Sequence, residues 1–136
     1  MPTTQRLASI QSYHAHIYFE GAQQLSEALR LREEIADRFT VLIGRVHEVP
    51  IGPHAKPMFQ VVFTPTDFTT IVPWLMLNRR GLTILIHPNT RQPKADHLTH
   101  AMWMGEVLDI KNLHMLPESE PPEPPFMPNT RATVAA

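Results

Sequence analysis

The chain contains no cysteine. That excludes a disulfide framework, thiolate metal ligands and thiol catalysis together, and it agrees with a reducing compartment. An excess of charge of either sign is missing too: 12 Lys and Arg stand against 13 Asp and Glu, a formal net charge of −1. So balanced a chain offers no electrostatic footprint for nucleic acid or an anionic membrane surface, and neither is expected as a partner. No apolar run approaches the roughly 20 residues of a bilayer-spanning helix, and no signal-like apolar region follows Arg6. The expectation is a soluble, cytoplasmic protein. Glycine is scarce, at five residues, so Gly21, Gly52 and Gly81 read as punctuation between elements.

What is present in quantity is histidine, with eight residues, and proline, with fourteen. Pro121, Pro122, Pro124 and Pro125 crowd together near the end, whereas the histidines are spread through the body. A chain of 136 residues fits one domain able to bury a core without staples.

The stretch Tyr13-His14-Ala15-His16-Ile17-Tyr18-Phe19 has the period of two of a strand. Ala15, Ile17 and Phe19 take one face, a core face, and His14, His16 and Tyr18 take the other. Two imidazoles at i and i+2 lie roughly 6 to 7 Å apart at their backbones, so their tips can converge on one metal or substrate. Residues 1–12 read as a poorly ordered lead-in.

From residue 22 to 39 the spacing of Leu25, Ala28, Leu29, Arg32, Ile35, Ala36 and Phe39 predicts an amphipathic helix. Residues 41–49 read as a strand with Leu42, Gly44 and Val46 inward and Arg45 and His47 outward. Pro50, Gly52 and Pro53 force a turn, and His54 in that connection either folds over the open face or sits in solvent. Residues 58–64 form a further strand, burying Phe59, Val61 and Phe63 and presenting Gln60 outward. A second helix opens at Pro65-Thr66-Asp67, capped by Thr66 or Asp67, and buries Phe68, Ile71, Val72, Leu75 and Met76. Pro73 predicts a kink or restart within it, and Gly81 its left-handed stop. Residues 82–87 are a strand ended by Pro88, with Leu82, Ile84 and Ile86 opposite Thr83, Leu85 and His87. Residues 106–115 offer one more strand.

Strand, helix, strand, strand, helix, strand is the ferredoxin-like βαββαβ order of an α+β fold, an antiparallel sheet with two helices on one face. The domain is expected over residues 1–116. A Pro- and Glu-rich tail, 117–136, is either disordered or wraps over the body through Phe126 and Met127. The helix-free face is left to that extension or to a dimer partner.

Parity gathers His14, His16, Tyr18, Arg45, His47, Gln60 and His87 on the helix-free face. Because the first strand is central in this fold, His87 can stand beside His14 or His16. Three converging imidazoles in a cysteine-free chain suit Fe(II) or Zn. The plainer reading is that each histidine is a satisfied surface residue, and for His47, His100 and His114 it is the preferred one. Arg45 and Gln60 are solvated sheet residues or a clamp for a carboxylate or phenolate. Asp96 and His97 are a turn or an acid–base pair.

The motifs Tyr13-His14-Ala15-His16-Ile17-Tyr18-Phe19, Gly52-Pro53-His54, Phe59-Gln60, Trp74-Leu75-Met76-Leu77-Asn78-Arg79, Leu85-Ile86-His87-Pro88, Asp96-His97 and Trp103-Met104-Gly105 together resemble the small DOPA 4,5-dioxygenase family. The resemblance implies a stand-alone extradiol ring-cleaving dioxygenase, a homodimer that opens a catechol such as DOPA with O2 at a non-haem Fe(II), with Zn or another divalent metal as the alternative occupant. It implies that the metal belongs to a subset of His14, His16, His54 and His87, and His16, His54 and His87 are the set chosen. His14 and His97 are then the acid–base candidates, Tyr18 the donor to a developing oxyanion, and Arg45, Gln60 and His47 the substrate contacts. A carboxylate from Glu20, Asp96 or Glu106 could complete the site, or three histidines could suffice. The alternative from another class is a non-catalytic dimeric ferredoxin-like module that binds a ligand or metal without turnover.

Overall fold

A computed structural model describes residues 3–136, so residues 1 and 2 of the expected lead-in lie outside the described ones. A single turn of 3-10 helix, Leu7–Ser9, leads into β1, Ser12–Tyr18, with Ser12 already buried in the sheet. Then come α1 (Gly21–Arg38), β2 (Leu42–Ile43), β3 (Met58–Phe63), α2 (Pro65–Asn78), β4 (Ile84–Asn89), α3 (Pro93–His97) and β5 (Met102–Met104). The five strands form one antiparallel sheet in the order β2-β3-β1-β4-β5. The first four stand in the ferredoxin-like order, and β5 adds an edge beside β4. The fold is α+β, as the element order predicts.

The core lies between the sheet and α1 and α2. Ala15, Ile17 and Phe19 of β1 and its end, Val61 and Phe63 of β3, and Ile84 and Ile86 of β4 face it, against Ala28, Leu31 and Ile35 of α1 and Ile71, Val72 and Leu75 of α2. Two stripe residues change. Leu31, not Leu29, is the buried leucine of α1, and Met76 of α2 is 64% exposed. A helix advances about 100° per residue, so Leu31 falls within about 60° of both Ala28 and Ile35 on the inward arc while Leu29 and Met76 fall at its margins.

Other departures have local causes. Residues 41–49 do not make one strand. Three residues separate Ile43 from His47, while only two separate their partners Val61 and Met58. The extra residue acts as a bulge and reverses the alternation. Ile43 therefore faces the core and Leu42 the open side, whereas Val46 beyond the bulge packs inward and His47 stands opposite Met58. The α2 cap is Thr64, with Pro65 in the first turn where no N–H is needed. The helix runs unbroken through Pro73, an exposed position whose missing bond is to the carbonyl of exposed Thr69. It stops with both Arg80 and Gly81 at positive φ, 56° and 73°.

Nor does Pro88 end β4. Tyr18 N donates to Thr83 O, and alternation from that pair puts Pro88 opposite Tyr13 at a non-hydrogen-bonded position, where its missing N–H costs no bond to β1. The fifth strand is Met102–Met104, and among the described residues none forms within 106–115. Gly105, at φ 83°, ends it. A β-carbon there would sit 3.0 Å from Arg79 Nη1 and 3.2 Å from Thr83 Oγ1, so the chain turns off the sheet where only glycine fits.

On the helix-free face a second small cluster of Tyr18, Met58 and Leu85 is covered by Ala101, Trp103, Leu108 and Ile110. The chain then circles the body. Lys111 N donates to Pro53 O, Glu120 N to Arg91 O, and Asn129 brackets Ile43 through both its amide atoms. That last contact occupies the backbone of edge strand β2. No helix among the described residues is long and apolar enough to cross a membrane.

Candidate metal centre

Strand pairing assembles the site. His14 lies directly opposite His87 across β1 and β4, and His16 opposite Gln60 across β1 and β3. All four point to the helix-free face, because that parity is shared with Tyr18 and Leu85. The ring centroids of His14 lie 4.9 Å from His87 and 5.6 Å from His16. His16 Nε2 and His87 Nε2 are 3.1 Å apart.

Two more imidazoles arrive from outside the sheet. The 51–54 turn closes through His54 N to Ile51 O, is held by Lys111, and folds His54 over the face until it is 6% exposed. Its ring is 4.2 Å from that of His16, and its Nδ1 is 2.8 Å from the Tyr18 hydroxyl, a hydrogen bond in either tautomer. His97 is brought in at the end of α3, 4.1 Å from His87 by ring centroids. Two triads thus have ligand atoms mutually within 4.8 Å: His14, His16 and His87, and His16, His54 and His97. Only His16 belongs to both.

Backbone acceptors set two tautomers. His87 Nδ1 donates to Pro88 O at 2.9 Å and His97 Nδ1 to Pro93 O at 2.7 Å. Carbonyls accept only, so each ring carries its proton on Nδ1 and presents a bare Nε2. Burial disfavours the imidazolium throughout, and neighbouring rings add to it. His14 and His54 are pushed down to about 4, by burial first and then by His97. His16 and His87 lie well below the ordinary value for the same leading cause, and His97 is lowered by burial. Burial raises the Tyr18 phenol, so it stays protonated.

No carboxylate joins the rings. Asp96 is buried, but it accepts from Thr90 N, Thr90 Oγ1 and His100 Nδ1. Glu20 pairs with Lys56 at 3.0 Å, and Glu106 lies 4.0 Å from the same ammonium. The metal-competent groups among the described residues are therefore all histidine. Of the substrate contacts expected from parity, Gln60 lies on the face beside the rings. His47 stands on the same side near His54, lowering its pKa further by like charge. Arg45 is exposed on the bulged edge segment.

Residues 13–113 match the family model described as the Dopa 4,5-dioxygenase family. The chain belongs to that family. It is 34% identical over 119 residues to a DOPA 4,5-dioxygenase of Amanita muscaria, covering 81% of this chain and 51% of that protein. It is 41% identical over 110 residues to an uncharacterised 21.2 kDa protein of Botryotinia fuckeliana, covering 73% of this chain and 60% of the relative. The chain thus spans little more than half the length of these two relatives. Among solved structures, a candidate dioxygenase from Nostoc punctiforme is 44% identical with a TM-score of 0.79, over 82% of this chain and 96% of that one.

In this family member the rings fit a divalent cation that favours imidazole. Buried neutral donors converge, two of them oriented by backbone carbonyls as ligating histidines commonly are. His16 Nδ1 is buried with no protein partner among the described residues, a vacancy that costs on the order of 1–3 kcal/mol and that a cation would relieve. The metal set chosen from sequence is neither triad: His16 is common to both, but His87 belongs to one and His54 to the other. The orienting carbonyls of Pro88 and Pro93 carry no side-chain signal and escape sequence reasoning. So does the groove that the tail shares with His14, although Phe126 and Met127 offered a wrap over the body as one alternative.

Proposed function

We propose that the protein is an extradiol catechol dioxygenase, opening a ring such as that of DOPA with O2 at a non-haem Fe(II) held by imidazoles of the cluster, with His16, His54 and His87 as the preferred set. The observation that carries the reading is five imidazoles in two close triads that share His16, each ring disposed to be neutral, over one sheet face of a Dopa 4,5-dioxygenase family chain. Bound Fe(II) would supply a site where both catechol oxygens and O2 meet, which proximity alone makes far more productive.

The side chains supply the rest. His14 keeps a partly exposed edge toward the open face and, at about 4, is a free base at neutral pH. It can accept a catechol proton and return it during ring opening. His97, with Nε2 unprotonated, is the second candidate for that exchange. Tyr18 holds His54 in place and keeps a proton to donate toward an oxyanion. Leu85, Trp103 and Met58 keep this end of the face dry, which strengthens every polar contact there.

The test is anaerobic reconstitution with Fe(II), then O2 uptake with DOPA, caffeate, protocatechuate and unsubstituted catechol. The expected result is O2 consumption with a yellow ring-opened product from at least one of them. Stoichiometric Fe(II) binding with no product from any catechol would overturn the dioxygenase reading and favour a module that binds metal or ligand without turnover.

A further inference from the structure

Beside the rings the helix-free face opens into a groove of about 550 Å3 whose roof is residues 123–127 of the C-terminal segment. Its floor is one row of the sheet. Leu42 pairs with Val62, Val62 with His14, and His14 with His87, so the row runs from edge strand β2 to the imidazole cluster. From Leu42 to His14 is two interstrand spacings, roughly 10 Å, about the length of a short alkyl chain on a phenyl ring.

The roof is tied down at both ends. The Ser12 hydroxyl lies 2.8 and 3.0 Å from the two carboxylate oxygens of Glu123, and Ser12 itself receives Asn89 Nδ2 at 2.9 Å, both anchors being buried. Glu123 N donates to Gln11 Oε1, and six residues on Asn129 bonds both backbone groups of Ile43. Between these ties Pro124 and Pro125 restrict the chain, leaving few other conformations to adopt. Leu42, Val62, Pro124, Pro125, Phe126 and Met127 make the lining mostly apolar. The polar members besides His14 are the Gln60 amide and the Glu123 carboxylate, and no lysine or arginine lines it.

We infer that this strap, which lies outside the 13–113 family match, is the specificity-determining wall of the substrate pocket. The groove takes the ring substituent of a catechol placed at the rings, and selects an uncharged hydrophobic substituent over a carboxylate-bearing one. The inference rests on the dioxygenase reading. Its physical basis is twofold: apolar walls reward burial of alkyl carbons, and Glu123, with no cation in the lining to offset it, repels an anion entering the same space.

The experiment compares propylcatechol with dihydrocaffeate, which differ mainly by the carboxylate, on the Fe(II)-loaded full chain. Wild type is expected to favour propylcatechol in kcat/KM by about tenfold. Glu123→Gln retains a partner for Ser12 and should bring the ratio toward one. Phe126→Ala should lower kcat/KM for propylcatechol roughly fivefold more than for unsubstituted catechol. A wild-type ratio at or below one overturns the inference, as does an equal loss on both substrates in the variants, which would mark the strap as merely structural. If no catechol turns over, the dioxygenase reading fails separately. Calorimetric binding of the same pair to Zn(II)-loaded protein then decides the groove: a preference for propylcatechol supports it, and equal binding or none overturns it.

Discussion

His16 stands at the intersection of the two metal-competent triads, and its Nδ1 is the buried nitrogen without a partner. His16→Ala should therefore abolish stoichiometric metal binding while the fold persists, since β1 and β4 stay joined by their backbone pairing when the His16–His87 contact is lost. By contrast, His14→Ala removes no member of the preferred set and should retain metal, whereas His54→Ala removes one but leaves the His14, His16 and His87 triad and should retain metal more weakly. Elemental analysis after Fe(II) or Zn loading, with circular dichroism for the fold, separates these outcomes. Retained metal in His16→Ala would move the site elsewhere, and unfolding would make His16 structural. The residues of β1 and β4 in this cluster were legible from a period of two, because a strand has only two faces and Ala15, Ile17 and Phe19 occupy the other. His54 and His97 came only through the family resemblance, since a turn and a five-residue helix have no periodicity that says where a ring points.

At the scale of elements, the long periodic segments were the readable ones: β1, β3 and both main helices came out close to their patterns. The misreadings fall where one residue changes the geometry. The bulge between Ile43 and His47 reversed the facing of Leu42, and Gly105 stopped β5 before the stretch that looked like a strand. Pro73 is a related case, a proline tolerated because the bond it forgoes is on the exposed side of α2. Replacing it with alanine restores an N–H to the Thr69 carbonyl and relieves ring crowding. Pro73→Ala should therefore stabilise by roughly 1–3 kcal/mol, less whatever rigidity proline removes from the unfolded chain. Urea titration reads this directly; a lower midpoint would mean that the ring packs in a way the exposed position does not suggest.

For the whole molecule, clustering so many buried imidazoles links stability to pH. In the metal-free protein the folded-state pKa values of His14 and His54 are about 4, against 6.5 for the free group. The unfolded chain thus binds protons first as pH falls. Stability from these groups is complete above about pH 6.5 and is lost between there and about pH 4, with on the order of 3 kcal/mol at stake for a buried ring such as His54. Thermal unfolding of metal-free protein should shift to lower temperature across that window. Zn or Fe(II) at neutral pH should shift it upward by mass action. A midpoint flat from pH 7 to 4.5 would show that the rings are far less buried in solution.

By itself the sequence determined the architecture and half of the centre, because alternation along a strand and the 3.6-residue period of a helix are local properties written in adjacent residues. Tertiary structure decided the rest. Which carbonyl orients His87 and His97, whether the 51–54 turn closes over the sheet, and that a segment more than a hundred residues from β1 roofs the groove beside His14 all depend on contacts between distant parts of the chain. Such contacts leave no period to read, since their geometry is set by register, a bulge and a few long-range hydrogen bonds.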